Sequence, residues 1–140
     1  MDSNLRREII LENYQEPLNR GLVEDESYLK VNTNSESCID NLDFMMKIED
    51  NVIKDIRFDG EACAISTSAS SILIQCLIGK TVAEAKDILN NYKNMIQEKE
   101  YDEKLLGELI VYDEISKQPN RINCALLPVV AVEKMLEKLN

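Results

Sequence analysis

The chain has 140 residues and a mass of 16.0 kDa, enough to bury one core without disulfide staples; 44% hydrophobic and 30% charged residues are a globular balance rather than a disordered or membrane one. Sixteen basic against 26 acidic residues leave a formal charge of −10, which repels phosphate backbones and argues against a nucleic-acid partner. The absence of histidine excludes Ser-His and Cys-His nucleophilic pairs, imidazole zinc sites and the commonest acid–base group near neutrality.

No apolar run reaches the roughly 18 residues of a spanning helix. Residues 1–13 carry Asp2, Arg6, Arg7, Glu8 and Glu12 and lack the apolar stretch and cleavage site of a secretory signal. The expectation is one cytoplasmic domain over residues 1–140, with no membrane partner.

Residues 4–14 place Leu5, Ile9 and Ile10 at helical spacing with charges opposite, which predicts an amphipathic helix that Gln15-Glu16-Pro17 stops. Residues 27–33 and 42–48 are extended in character, and residues 51–58 alternate Val52, Lys54, Ile56 and Phe58 against Ile53, Asp55 and Arg57. With Glu49-Asp50-Asn51 as a hairpin turn, three antiparallel strands are the economical reading. Asp59-Gly60-Glu61 ends the third strand. The hydroxyls of residues 66–71 offer caps for a buried helix carrying Ile72, Leu73, Ile74, Leu77 and Ile78, closed by Gly79.

Thr81-Val82-Ala83-Glu84 is a capping-box pattern opening a helix to about Lys99, with Ala85, Ile88, Leu89, Tyr92 and Ile96 on its inner face. The charge run at residues 98–103 reads as a solvated face. Residues 100–120 read as a short helix and a loop. A closing helix carries Val129, Val130, Val132, Met135, Leu136 and Leu139, with Pro128 either in its first turn or kinking it. Helix, strands, then helices is an α+β order: a three-stranded antiparallel sheet with helices packed on one face.

Cysteines stand at 38, 63, 76 and 124 with no C-x-x-C, so any metal site assembles from distant segments, and a cytoplasmic domain has little need of disulfides. In Cys38-Ile39-Asp40, residues two apart in an extended segment point to the same side. Cys63 falls between the glycine turn and the hydroxyl-rich helix start, where N–H groups and the positive end of the dipole favour a thiolate. Cys124 holds the matching position after Pro119-Asn120-Arg121, ahead of an apolar helix, with Arg121 adding positive charge nearby. Cys76 is ten residues beyond Ser66, about 15 Å along a helix, and reads as core beside Ile72 and Leu73. The best constellation is three thiolates and one carboxylate, Cys38, Asp40, Cys63 and Cys124, a set that suits tetrahedral zinc or iron with sulfide. The alternative is that all four are small buried residues on short elements.

The stretch Phe58-Asp59-Gly60-Glu61-Ala62-Cys63-Ala64-Ile65-Ser66-Thr67-Ser68-Ala69-Ser70-Ser71 resembles the G-x-x-C-x-I-S-x-A-S signature of the U-type iron–sulfur assembly proteins, the SufU/IscU family. Arg7 to Tyr14 with Pro17 and Gly21 resembles that family's opening helix and loop, Gly79-Lys80 its helix junction, and Pro119-Asn120-Arg121-Ile122-Asn123-Cys124-Ala125 its P-x-R-x-x-C-A segment. The segment including residues 101–115 resembles the insertion typical of SUF-type members, and Asn123 stands where the ISC type carries histidine.

The resemblance implies a three-stranded antiparallel sheet with packed helices and zinc held at Cys38, Asp40, Cys63 and Cys124. It also implies a SufS-like cysteine desulfurase that delivers persulfide sulfur to Cys38, and downstream iron–sulfur assembly proteins as further partners. Arg121 would steer the desulfurase or stabilise thiolate charge. Two departures stand out: Cys38-Ile39-Asp40 replaces the usual C-G-D, and Ile reaches left-handed backbone angles less cheaply than Gly; Asn123 also replaces a usual lysine.

The first functional expectation is thus a zinc-dependent sulfur acceptor, a sulfurtransferase acting with a cysteine desulfurase. The second is a scaffold that builds and transfers a [2Fe-2S] cluster on the same ligands, so that iron or a transient cluster replaces zinc. The third is a non-catalytic adaptor stabilised by its metal. The missing histidine and the insertion favour the first.

Overall fold

Three antiparallel strands lie in the order β1 (Leu29–Asn34), β2 (Asn41–Glu49), β3 (Val52–Glu61) in the computed structural model, which describes residues 1–34 and 40–139. The β2–β3 hairpin turns on Asp50 (φ 53°) and Asn51 (φ 64°), the pair of left-handed residues a two-residue type I′ turn demands. Strict alternation fails in β3. Lys47 pairs with Asp55 but Ile48 pairs with Ile53, so Lys54 is an extra residue, a β-bulge that lets Ile53 and Ile56 both reach the core.

One sheet face carries Leu42, Phe44 and Met46 of β2 and Ile56 and Phe58 of β3, all fully buried, with the Phe44 and Phe58 rings stacked at 5.8 Å between centroids. Each such ring contributes roughly 2–3 kcal/mol through burial. The helices that complete this core are α1 (Ser3–Gln15), α2 (Ala64–Leu77), α3 (Val82–Ile96) and α4 (Pro119–Glu137). The α+β arrangement expected from the order of elements is the one observed. Between α3 and α4 run short 3-10 turns at Glu103–Leu105, Gly107–Tyr112 and Ile115–Lys117, of which the middle one sends Leu109, Val111 and Tyr112 inward.

Several local expectations hold. Glu16 caps α1 ahead of Pro17, and Thr81 and Glu84 exchange both bonds of a capping box, at 2.9 and 3.1 Å. All five residues expected on the inner face of α3 are buried, and residues 98–103 are exposed. Others need correction. Leu5 is exposed, and α1 docks on α2 through half-buried Ile9 and Ile10 and the buried amide of Asn13, which accepts from Ser71 Oγ at 2.7 Å. Helix α3 stops at Ile96 rather than Lys99. Pro119, not Pro128, occupies the first turn of α4; Pro128 lies inside it, and Val130 and Leu139 are exposed.

The hydroxyl run is not a cap. Helix α2 begins at Ala64 with Cys63 as its N-cap, which leaves Ser66, Thr67, Ser68, Ser70 and Ser71 buried inside the helix. Buried hydroxyls need partners, and these have them: the Ser68 and Tyr112 hydroxyls are hydrogen-bonded to each other, Ser70 donates to the Ser66 carbonyl at 2.7 Å, and Ser71 donates to Asn13. Polar latches therefore tie α2 to α1 and to the 3-10 segment. Burial drives the Tyr112 phenol well above its ordinary range; Ser68 offsets part of this, and nearby Cys63 adds to it.

Candidate metal centre

Residues 40 and 63 are neighbours because of the sheet register. Asn41 pairs with Glu61 at the end of the β2–β3 ladder, so Asp40 enters the sheet beside the point where Ala62 and Cys63 leave it. The approach there is close: a Cβ added to Gly60 would stand 2.2 Å from the Asn41 carbonyl oxygen, and Gly60 has φ +132°. Only glycine fits both demands.

Asp40 is 1% exposed. Its Oδ1 accepts the Cys63 backbone N–H at 2.6 Å, and its Oδ2 accepts the Ser66 hydroxyl at 2.6 Å. The carboxylate thus sits against the N-terminus of α2, where unpaired N–H groups and the helix dipole favour an anion. Cys63 adds its own cap, its sulfur accepting the Ser66 backbone N–H at 3.4 Å, and its thiol faces Asp40 Oδ2 at 3.8 Å.

Cys124 arrives from α4. The position expected was the mouth of a helix; because the helix starts at Pro119, Cys124 lies inside it, one turn past Arg121, and is fully buried. Four residues later Pro128 has no N–H to supply the usual i+4 helical bond, and the Cys124 carbonyl oxygen lies 3.0 Å from Ser66 Oγ. The next carbonyl, of Ala125, accepts the buried Tyr92 hydroxyl at 2.9 Å.

The ligand atoms of Asp40, Cys63 and Cys124 lie within 4.8 Å of one another. A sulfur about 2.3 Å and an oxygen about 2.1 Å from one tetrahedral ion stand about 3.6 Å apart, close to the 3.8 Å between Cys63 Sγ and Asp40 Oδ2. Two sulfurs and a carboxylate therefore fit a borderline-soft ion such as zinc, with room in the donor count for one more ligand. Cys38, the fourth residue of the expected set, lies outside the described residues. Arg121 is exposed in the first turn of α4, its N–H on the Gln118 carbonyl.

Cys76 is elsewhere. Thirteen residues beyond Cys63 on α2, it is about 20 Å away along the helix axis, half-buried, with its sulfur 3.6 Å from the Leu106 carbonyl. Burial pushes its thiol up to about 11, with Glu108 adding to the shift and Lys80 opposing it. Sequence reasoning missed Ser66 and the part played by Pro128. A serine three residues after an N-cap cysteine was the available signal, and it read as one of several interchangeable caps.

Comparison with known proteins places these features in a lineage. The zinc-dependent sulfurtransferase SufU of Bacillus subtilis (strain 168) is 34% identical over 135 residues, 96% of this chain and 90% of that protein. The iron–sulfur cluster assembly scaffold protein IscU of Thermotoga maritima is 28% identical over 86% of this chain and 84% of its own. Among solved structures, FiSufU of the thermophile Fervidobacterium islandicum AW-1 superposes with a TM-score of 0.85 at 32% identity, covering 92% of this chain and 94% of that one. Among the described residues no helix is long and apolar enough to cross a membrane. The family model for the NifU-like N-terminal domain matches residues 5–125, and this chain belongs to that family.

Proposed function

We propose that this protein is a zinc-dependent sulfur acceptor that takes persulfide sulfur from a cysteine desulfurase and passes it into iron–sulfur cluster assembly in the cytoplasm. The observation that carries the reading is the meeting of Asp40, Cys63 and Cys124, from the sheet, the start of α2 and α4, within 4.8 Å. The 34% identity to a protein described as a zinc-dependent sulfurtransferase supports it. Cys38, two residues from Asp40 and so at most about 7 Å away along the chain, is the fourth ligand in this reading.

Asp40, Cys63, Cys124 and Cys38 would hold the ion, and zinc when bound keeps coordinating thiols deprotonated. The Cys38 thiolate attacks the outer sulfur of the desulfurase persulfide. A new S–S bond forms on Cys38, the old one breaks, and the desulfurase cysteine leaves as a thiolate, so no outside oxidant or reductant is needed. Arg121, exposed one turn before Cys124, would steer the desulfurase or stabilise thiolate charge in this reading.

The test is anaerobic purification with metal analysis, followed by a desulfurase-coupled sulfide assay on wild type and Cys38→Ala. Stoichiometric zinc with Cys38-dependent stimulation is expected. Iron with acid-labile sulfide overturns the reading in favour of a cluster scaffold, and bound metal without any effect on turnover overturns it in favour of an adaptor.

A further inference from the structure

One side chain touches every candidate ligand residue that the structure describes. Ser66 Oγ lies 2.6 Å from Asp40 Oδ2, 3.7 Å from Cys63 Sγ and 3.0 Å from the Cys124 carbonyl oxygen. Ser66 itself is fully buried, so none of these contacts is exchanged for water. A hydroxyl has one proton to give, and the shorter contact is with the carboxylate. The Cys124 carbonyl oxygen, at 3.0 Å, is the second and longer acceptor within reach of that proton.

We propose that Ser66 is the positioning residue of the metal centre, acting through Asp40. Oδ1 is taken by the Cys63 N–H, so the carboxylate can rotate only about that anchor, and the Ser66 hydroxyl stops the rotation. Oδ2 is then presented beside Cys63 Sγ with one lone pair on Ser66, and its other lone pair would serve a metal held by Asp40, Cys63 and Cys124. Asp40 becomes a one-oxygen ligand held in place before any metal arrives. Outer hydrogen bonds of this kind typically change metal affinity 10–100-fold. The inference rests on the metal-centre reading of Asp40, Cys63 and Cys124 and adds to it the residue that sets the carboxylate.

The experiment compares S66T, which keeps the hydroxyl, with S66V, which replaces that hydroxyl by a methyl of the same shape. Zinc affinity of the full chain is measured by competition with a chromophoric chelator under reducing conditions, each pair in the wild-type and the D40A background. With Asp40 present, S66V is expected to bind zinc 10–100-fold more weakly than S66T; with D40A, the two bind equally. Cobalt(II) spectra give a second readout that a general loss of stability does not move. S66V is expected to alter the ligand-field bands while the thiolate-to-metal charge-transfer band persists, and S66T leaves both as in wild type. If D40A does not fold, these spectra decide alone.

Equal affinity of S66V and S66T with Asp40 present, an S66V deficit undiminished in D40A, or unaltered ligand-field bands each overturn the proposal. Failure of wild-type protein to bind zinc or cobalt sinks the metal-centre reading instead, so the two failures are told apart.

Discussion

Helix α2 carries a cysteine near each end, and the two have opposite surroundings. At the N-terminal end Cys63 faces a carboxylate, a hydroxyl, the Ser66 backbone N–H and a second thiol. At the C-terminal end Cys76 meets Leu106's carbonyl and the apolar packing of the core. The same residue type on one helix is a candidate ligand in the first place and an inert filler in the second. What differs is not the cysteine but the helix end: one gathers a carboxylate, a hydroxyl and a second thiol around the sulfur, and at the other burial dominates.

The largest way to break this comparison is Gly60→Ala. The added methyl would meet the Asn41 carbonyl at 2.2 Å in a backbone conformation at φ +132°, so β3 must separate from β2 next to Asp40. A loss of about 3–5 kcal/mol in unfolding free energy, by denaturant titration, is expected. Gly79→Ala is the control. Its φ is +88° with nothing within 4 Å of the added atom, so only backbone strain of about 1–2 kcal/mol applies.

Removing the ligand rather than its support gives the next effect. Cys63→Ala is expected to lower zinc affinity more than about 100-fold, beyond what an outer hydrogen bond is worth, while Cys76→Ala keeps wild-type metal content. Loss of metal from a folded C76A protein would show that the ligands have been assigned to the wrong end of α2. Alkylation sharpens the contrast. With its thiol pushed up to about 11, Cys76 has about 100-fold less thiolate at pH 8 than an ordinary cysteine. Peptide mapping of native against urea-unfolded protein should show its labelling slowed by at least that factor.

The legible parts were those decided within a few residues. The Asp50-Asn51 turn, the Thr81–Glu84 box and the 3.6-residue stripe of α3 each state their structure in local chemistry. The misread parts depend on what packs against them. Nothing near residue 54 announces a bulge, since it arises from matching two strands of unequal count. The hydroxyls of residues 66–71 look like caps until Asp40, Tyr112 and Asn13 arrive from elsewhere to satisfy them inside a helix. With prolines at 119 and 128, either one could have opened the last helix, and the choice decides whether Cys124 sits at its mouth or within it. The site's residue types were readable from the motifs; the strut that joins them was not, because its role exists only once three elements meet.

The smallest effect concerns proton linkage at the quiet end of α2. In the unfolded chain the Cys76 thiol titrates near its ordinary 9.0, and in the folded protein near 11. Between those values the folded state holds the proton and the unfolded state releases it, so stability falls as pH rises through this window and is fully present below pH 9. The expected loss from this residue is about 1 kcal/mol between pH 8 and pH 10, read as the difference between wild type and Cys76→Ala in denaturant titrations at each pH. Subtracting the variant removes the contribution of other groups, Tyr28 included, whose phenol is held up at about 12 by its bond to Asp55. A C76A protein that loses stability with pH as steeply as wild type would mean that Cys76 meets water in the folded state, and the contrast between the two ends of the helix would no longer rest on burial.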